Sequence, residues 1–164
     1  MKNKQIFPMV KTAVFFLAFV ISFTSCAGRA EAQMVVPDQA KERGLTLSDM
    51  VIRISSQGRT ATFQLYDTVA ARELYNQLPL ELEPRNFRDA QWMLFLPQRL
   101  NVTAQEAYHD GIRGELSYYQ PWGNAFTLYK DFYAGDQMHR LGINLTGIDE
   151  LERMSGTTRI EKQE

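Results

Sequence analysis

Apolar residues fall in short runs along this chain, and the period of each run separates strand from helix. Met50-Val51-Ile52-Arg53-Ile54 and Arg59-Thr60-Ala61-Thr62-Phe63-Gln64-Leu65-Tyr66 are rich in β-branched and aromatic residues. Phe63 and Leu65 share a face at the strand period of two. Ser55-Ser56-Gln57-Gly58 between them predicts a hairpin turn, with Gly58 free to take positive φ. The period then changes. Ala70, Ala71, Leu74, Tyr75 and Leu78 recur at three- and four-residue spacing, which predicts a helix capped by Asp67 and stopped by Pro79. Leu80-Glu81-Leu82-Glu83 alternates and predicts a strand with both glutamates on its solvent face. Trp92-Met93-Leu94-Phe95-Leu96 is apolar throughout, as a buried strand is, and Pro97 ends it.

Further along, residues 103–109 read as a helical turn. Residues 115–119, the turn Gln120-Pro121-Trp122-Gly123-Asn124 and residues 125–129 read as a second hairpin. Residues 141–145 make a short strand, 148–154 a short helix that stops at Gly156, and 157–161 a closing strand. Seven or eight closely spaced strands with two short helices predict a mainly β barrel or sandwich. In a barrel the early helix plugs one mouth and the late helix the other.

The start of the chain follows different rules. Lys2, Lys4 and Lys11 precede the apolar run 13–21, and small and polar residues lead from it to Cys26. A basic start followed by a short apolar run reads as a secretory signal over residues 1–25. About a dozen helical residues span roughly 18 Å, short of a bilayer core of about 30 Å. Phe23-Thr24-Ser25-Cys26 resembles a bacterial lipobox, which makes Cys26 the expected lipidation site. Ala30-Glu31-Ala32 is the competing cleavage site and would release a soluble protein starting at Gln33. Residues 26–47, with Pro37 and Gly44 as breakers, read as a flexible tether, and residues 48–164 as one domain. The expected location is extracytoplasmic: periplasm or cell envelope, held by a lipid anchor.

Composition narrows the function. The 164 residues carry 18 Lys+Arg against 19 Asp+Glu, and loss of residues 1–25 removes three lysines, leaving a net charge of about −4. That balance excludes a strongly basic nucleic-acid binder. At 45% apolar the chain is too hydrophobic to remain disordered. One cysteine supplies neither an internal disulfide nor a cysteine-rich zinc site.

Gly114-Glu115-Leu116-Ser117-Tyr118-Tyr119-Gln120-Pro121-Trp122-Gly123-Asn124-Ala125-Phe126-Thr127-Leu128-Tyr129-Lys130 resembles the signature of the bacterial cyclophilin-like fold family. Thr62 to Asp67, Leu78-Pro79-Leu80, Leu96-Pro97 and Leu141-Gly142-Ile143 follow in the family's order, over about residues 49–162. The resemblance implies a closed eight-stranded β-barrel capped by helices and distantly similar to cyclophilin peptidyl-prolyl isomerases. It also implies a cleft in which Phe126 is an apolar wall and His139 stands at the rim. Trp122 is either a recognition aromatic or a plug that packs its own turn, the second being favoured, and Tyr119 is a further wall. Prolyl isomerisation requires the twisted amide to be held better than the planar one, which cyclophilins do with an arginine near the prolyl nitrogen. Their Phe-x-x-Gln-Gly-Gly-Asp stretch is absent here. Arg85, Arg88 and Arg99 flank the corresponding strands, Arg85 being the weak catalytic candidate.

His109, Asp110 and His139 lack metal-ligand spacing, Ser117 lacks a nucleophile elbow, and no glycine-rich phosphate loop is present. No metal or cofactor is therefore expected. The expected function is an exported domain that binds a peptide or protein, with or without prolyl isomerase activity. The alternatives are a non-catalytic small-molecule binder and a structural envelope lipoprotein.

Overall fold

The first hairpin forms as β1 (Leu47–Ser56) and β2 (Arg59–Tyr66), turned by Gln57 and Gly58 at φ 47° and 77°. Asparagine and glycine are the usual occupants of such a two-residue turn, and Gly58 takes its share without strain. The structure, a computed structural model, describes Lys41 and residues 44–163, all within the unit Ala32–Glu164. The expected signal, the lipobox with Cys26 and most of the tether lie outside the described residues. Among the described residues no helix is long and apolar enough to cross a membrane.

Helix α1 (Val69–Gln77) follows. Its cap is Thr68 rather than Asp67: the Thr68 hydroxyl accepts from the backbone N–H of Ala71 at 3.2 Å, while Asp67 pairs with Arg72. Ala70, Ala71 and Leu74 form its buried face, as their spacing predicts. Then come β3 (Leu80–Leu82), β4 (Arg85–Phe87), β5 (Gln91–Phe95), the 3₁₀ turn Ala104–Glu106 and β6 (Ala107–Gly111). The chain finishes with β7 (Glu115–Tyr119), β8 (Asn124–Leu128), β9 (Phe132–Thr146), α2 (Ile148–Leu151) and β10 (Thr158–Gln163).

The result is mainly β with two helices, as expected, but with ten strands. Backbone pairing is antiparallel and runs β3-β10-β1-β2-β9-β7-β8-β5-β4, with β6 beside β9 off this path. The path is open, so the expected closed eight-stranded barrel is not what the ladders make. No described ladder joins β3 to β4. These two ends of the path are separated in the chain only by Glu83 and Pro84, and proline has no N–H to give to a ladder.

Two apolar clusters result. The larger takes Ile52, Phe63, Leu94, Leu116 and Leu141 from five strands and closes with Leu74 of α1 and Leu151 of α2. Trp92 packs on it and donates its indole N–H to the Leu151 carbonyl at 2.6 Å. β9 crosses β2 so closely at Gly142 that a Cβ there would lie 2.5 Å from the Gln64 carbonyl oxygen. The smaller cluster, Met93, Tyr108, Phe126, Leu128 and Met138, lies on the opposite face of β5, β7 and β8.

A buried ion pair sits beside that smaller cluster. Arg140 Nε donates to Glu115 Oε1 at 2.6 Å, with the two side chains 2% and 0% exposed. The guanidinium also lies 3.6 Å from the ring centroid of Tyr108. Tyr108 donates its hydroxyl to Glu115 Oε2 at 3.1 Å and meets the Ser117 hydroxyl at 2.5 Å, while the Ile112 N–H reaches the same carboxylate oxygen at 3.1 Å. Burial pushes the Tyr108 phenol well above its usual range, and the Glu115 charge adds to the effect. Burial likewise pushes Tyr66 up to about 12. Removing one partner strands a buried charge, so Arg140→Ala is expected to cost about 3–5 kcal/mol in urea unfolding. Replacing both partners by apolar residues, Glu115→Leu with Arg140→Met, is expected to recover most of that loss.

Candidate functional site

The outer face of β5, β7 and β8 does not meet solvent directly. Alternation puts Gln91 and Met93 of β5, Tyr119 of β7, and Asn124 and Phe126 of β8 on this face. Register aligns them: Met93 lies opposite Phe126 and Tyr119 opposite Asn124. A wall comes from the first half of β9. Between the pairs Tyr108–Met138 and Asp110–Tyr133, residues 134–137 of β9 stand opposite the single residue His109. The extra residues bow outward as an enlarged bulge. His109 Nδ1 lies 2.6 Å from Asp136 Oδ1 and its Nε2 lies 3.0 Å from Asp110 Oδ2, which ties the bulge to β6. The facing wall is the end of β4, with Phe87 and Arg88.

These elements enclose an aromatic cleft of about 250 Å³ whose lining also includes Trp122, Phe132, Tyr133 and Met138. Phe126 is its buried floor, 1% exposed. Trp122 is 52% exposed and meets Phe87 and Tyr119 edge-on, with ring centroids 5.7 and 5.3 Å away. Trp122 thus packs on its own hairpin through Tyr119 while half of its surface stays open to solvent. Arg99 also fastens that turn, donating from Nη1 to the Gln120 carbonyl at 3.0 Å.

Two features of the cleft work against stability. Gln91 Oε1 and Asn124 Oδ1 are buried without a hydrogen-bond partner among the described residues, and an unmet buried polar group costs about 1–3 kcal/mol. Arg88 and Asp89, at the β4–β5 turn, hold φ of 55° and 51°. A left-handed non-glycine residue costs on the order of 1–3 kcal/mol. Asn86 Oδ1 accepts from the Asp89 N–H at 3.0 Å and holds that turn in place.

The sequence candidates separate. Tyr119, Trp122 and Phe126 share the cleft. His139 does not: it lines a separate cavity of about 50 Å³ with Thr68, Ala70, Glu106 and Arg140. Arg85 does not either, its guanidinium lying over the Phe95 ring at 5.3 Å. Arg88 is the arginine on the cleft. Sequence reasoning did not single out Asn124, Gln91, Met93 or Phe87. Period-two counting back from Phe126 reaches Asn124, but Gln91 and Met93 are cross-strand neighbours that only the register reveals. Among the described residues no group of three or more His, Cys, Asp or Glu side chains could hold a metal ion.

A family model described as the cyclophilin-like family matches residues 54–161. The chain belongs to the cyclophilin-like family. Its fold is also similar to the solution structure of a hypothetical protein from Archaeoglobus fulgidus, at a TM-score of 0.53 and 12% identity over 72% of this chain and 98% of that one. At that identity the likeness concerns the fold alone. No curated protein matches the sequence. The cleft of this cyclophilin-like chain thus takes its meaning from its own residues.

Burial holds His139 below its usual pKa of 6.5, with Glu106 opposing the shift, and its Nδ1 has no hydrogen-bond partner among the described residues. Unfolding restores the ordinary value, so below 6.5 the unfolded chain binds more protons than the folded one. Stability is fully present above that pH and is lost as pH falls toward the folded-state value. Urea midpoints at about pH 7.5 and about pH 5.5 are expected to differ, and His139→Gln is expected to shrink the difference.

Proposed function

We propose that this cyclophilin-like domain binds a peptide segment by seating one apolar side chain between Trp122, Tyr119 and Phe87, above Phe126. The observation that carries the reading is an exposed tryptophan at the mouth of an aromatic cleft whose wall holds two unmet carboxamide oxygens. Exposed aromatics over a concave apolar floor are costly unless something covers them, and tryptophan dominates peptide and protein contacts energetically. A carboxamide pairs naturally with a backbone amide, which offers both a donor and an acceptor. Ligand sites for drug-sized molecules run from about 300 Å³ upward, so this cleft suits one residue rather than a large cofactor. Titrating the full chain with N-acetylated peptides that carry one phenylalanine or leucine tests the reading. Trp122→Ala is expected to weaken binding at least tenfold while leaving the urea midpoint nearly unchanged, because half of the side chain is already in water.

Prolyl isomerisation is the second reading, and Arg88 on the same cleft as Phe126 is what favours it. A protease-coupled proline-peptide assay in which the wild-type chain gives no acceleration removes it.

The barrel enters here as well. Residues 80–87 pair with β10 through their first half and with β5 through their second, interrupted at Pro84. Taken as one broken strand, they would bring the ends of the path together in a ring of eight. The shared core of β1, β2, β5, β7 and β9 supports that reading.

The domain is proposed to work outside the cytoplasm, anchored through Cys26. Intact mass of the exported product is expected to show a lipid-modified chain starting at Cys26, and a clean start at Gln33 would replace the anchor with a soluble form.

A further inference from the structure

The cleft holds one charged residue, Arg88, among aromatic, methionine, carboxamide and small side chains. Its guanidinium lies over the Phe87 ring at 5.3 Å, and among the described residues no carboxylate pairs with it. The carboxylate next to it in sequence is already engaged: Asp89 Oδ2 accepts from Lys130 Nζ at 2.7 Å, and Asp89 Oδ1 from the Tyr129 hydroxyl at 3.3 Å. The turn that carries Arg88 keeps its left-handed backbone through the Asn86 bond and through the Ala90 N–H, which donates to the Phe87 carbonyl at 3.2 Å. An exposed cation therefore stands at the rim of the aromatic cleft, and the neighbouring carboxylate of Asp89 is occupied elsewhere.

Three unmet demands meet in a space sized for one residue. The floor wants an apolar side chain. The unpartnered Gln91 Oε1 and Asn124 Oδ1 want N–H donors. Arg88, exposed at the rim, is open to an anion, and a guanidinium takes a carboxylate through two parallel bonds. A small aromatic acid supplies the apolar body and the anion but no N–H. An internal acidic residue needs a second residue to fill the floor. The end of a peptide chain supplies all of these together: the terminal side chain, the free carboxylate, the terminal residue's amide N–H for one carboxamide oxygen and the preceding residue's N–H for the other. We infer that the cleft recognises the free C-terminus of a peptide ending in an apolar residue, with Arg88 holding the terminal carboxylate. This rests on the peptide-binding reading and names the chemistry of its ligand.

Three probes test it by calorimetry on the full chain: acetyl-Gly-Gly-Phe with a free carboxylate, the same peptide amidated, and acetyl-Gly-Gly-Phe-Asp-Gly amidated. The free acid is expected to bind about tenfold more tightly than its amide, with the ratio falling as salt is added. Arg88→Gln is expected to bring the acid down to the level of the amide, with an unchanged urea midpoint showing that the fold is intact. Arg88→Lys is expected to keep only part of the preference, since an ammonium lacks the two-pronged fit. Arg85→Gln, off the cleft, is expected to behave as wild type. Equal affinity of acid and amide in the wild type, or a preference that survives in Arg88→Gln, overturns the inference and leaves peptide binding standing. Binding of the internal-aspartate peptide as tight as the free acid overturns the terminal assignment. No binding of any of the three overturns the peptide-binding reading itself.

Discussion

The ion pair of Glu115 and Arg140 is the constraint on which the cleft depends. Glu115 is on β7, Arg140 on β9, and Tyr108, whose ring lies against the guanidinium and whose hydroxyl donates to the carboxylate, is on β6. Among the described residues β6 pairs only with β9 and lies off the main path of the sheet, so a fixed point on its inner face decides where it sits. A buried ion pair contributes little net stability, because desolvation offsets most of the attraction. What it supplies here is position. A carboxylate that accepts from Arg140, Tyr108 and the Ile112 N–H leaves few other arrangements of these strands without an unmet charge. With β6 fixed, the outward bow of β9 opposite His109 follows, and that bow is one wall of the cleft.

How much of this could be read from the sequence depends on whether a signal was local. The β1–β2 hairpin, α1 and the β7–β8 hairpin each carry their own period and turn residues, and each forms where that pattern puts it. β4, β6 and the first half of β9 carry no such period. Arg85-Asn86-Phe87, Ala107 to Gly111 and Phe132 to Gln137 are short, polar or broken by glycine and aspartate. They are extended because a partner strand is there to pair with, and that partner is distant in sequence. The site divides in the same way. Tyr119, Trp122 and Phe126 lie within one hairpin and were visible together. Gln91, Met93 and Arg88 reach the cleft only through the β5–β8 register and the β4–β5 turn. The helix cap shows a smaller version of the same limit. Asp67 and Thr68 are both good caps by type, and the choice between them follows from Asp67 being paired with Arg72.

Departures from the rules of stable folding gather on this cleft. Two of the four buried side-chain atoms without partners among the described residues line it, as does one of the three left-handed non-glycine residues. Trp122 and Tyr133, among the most exposed large apolar side chains, line it as well. Each departure alone has an ordinary explanation, and a chain tolerates one or two anywhere. Their convergence on one concavity is harder to account for by folding, since each would be relieved by a small substitution without disturbing the β-sheet. Asparagine or glycine at position 88 would ease the turn, and a smaller residue at 122 would remove an exposed ring. The arrangement makes sense if the missing partners arrive with a ligand: a donor for the carboxamides, an anion for the guanidinium and an apolar group to cover the rings. On that argument the free cleft is the incomplete state, and the energy withheld from folding becomes available for binding.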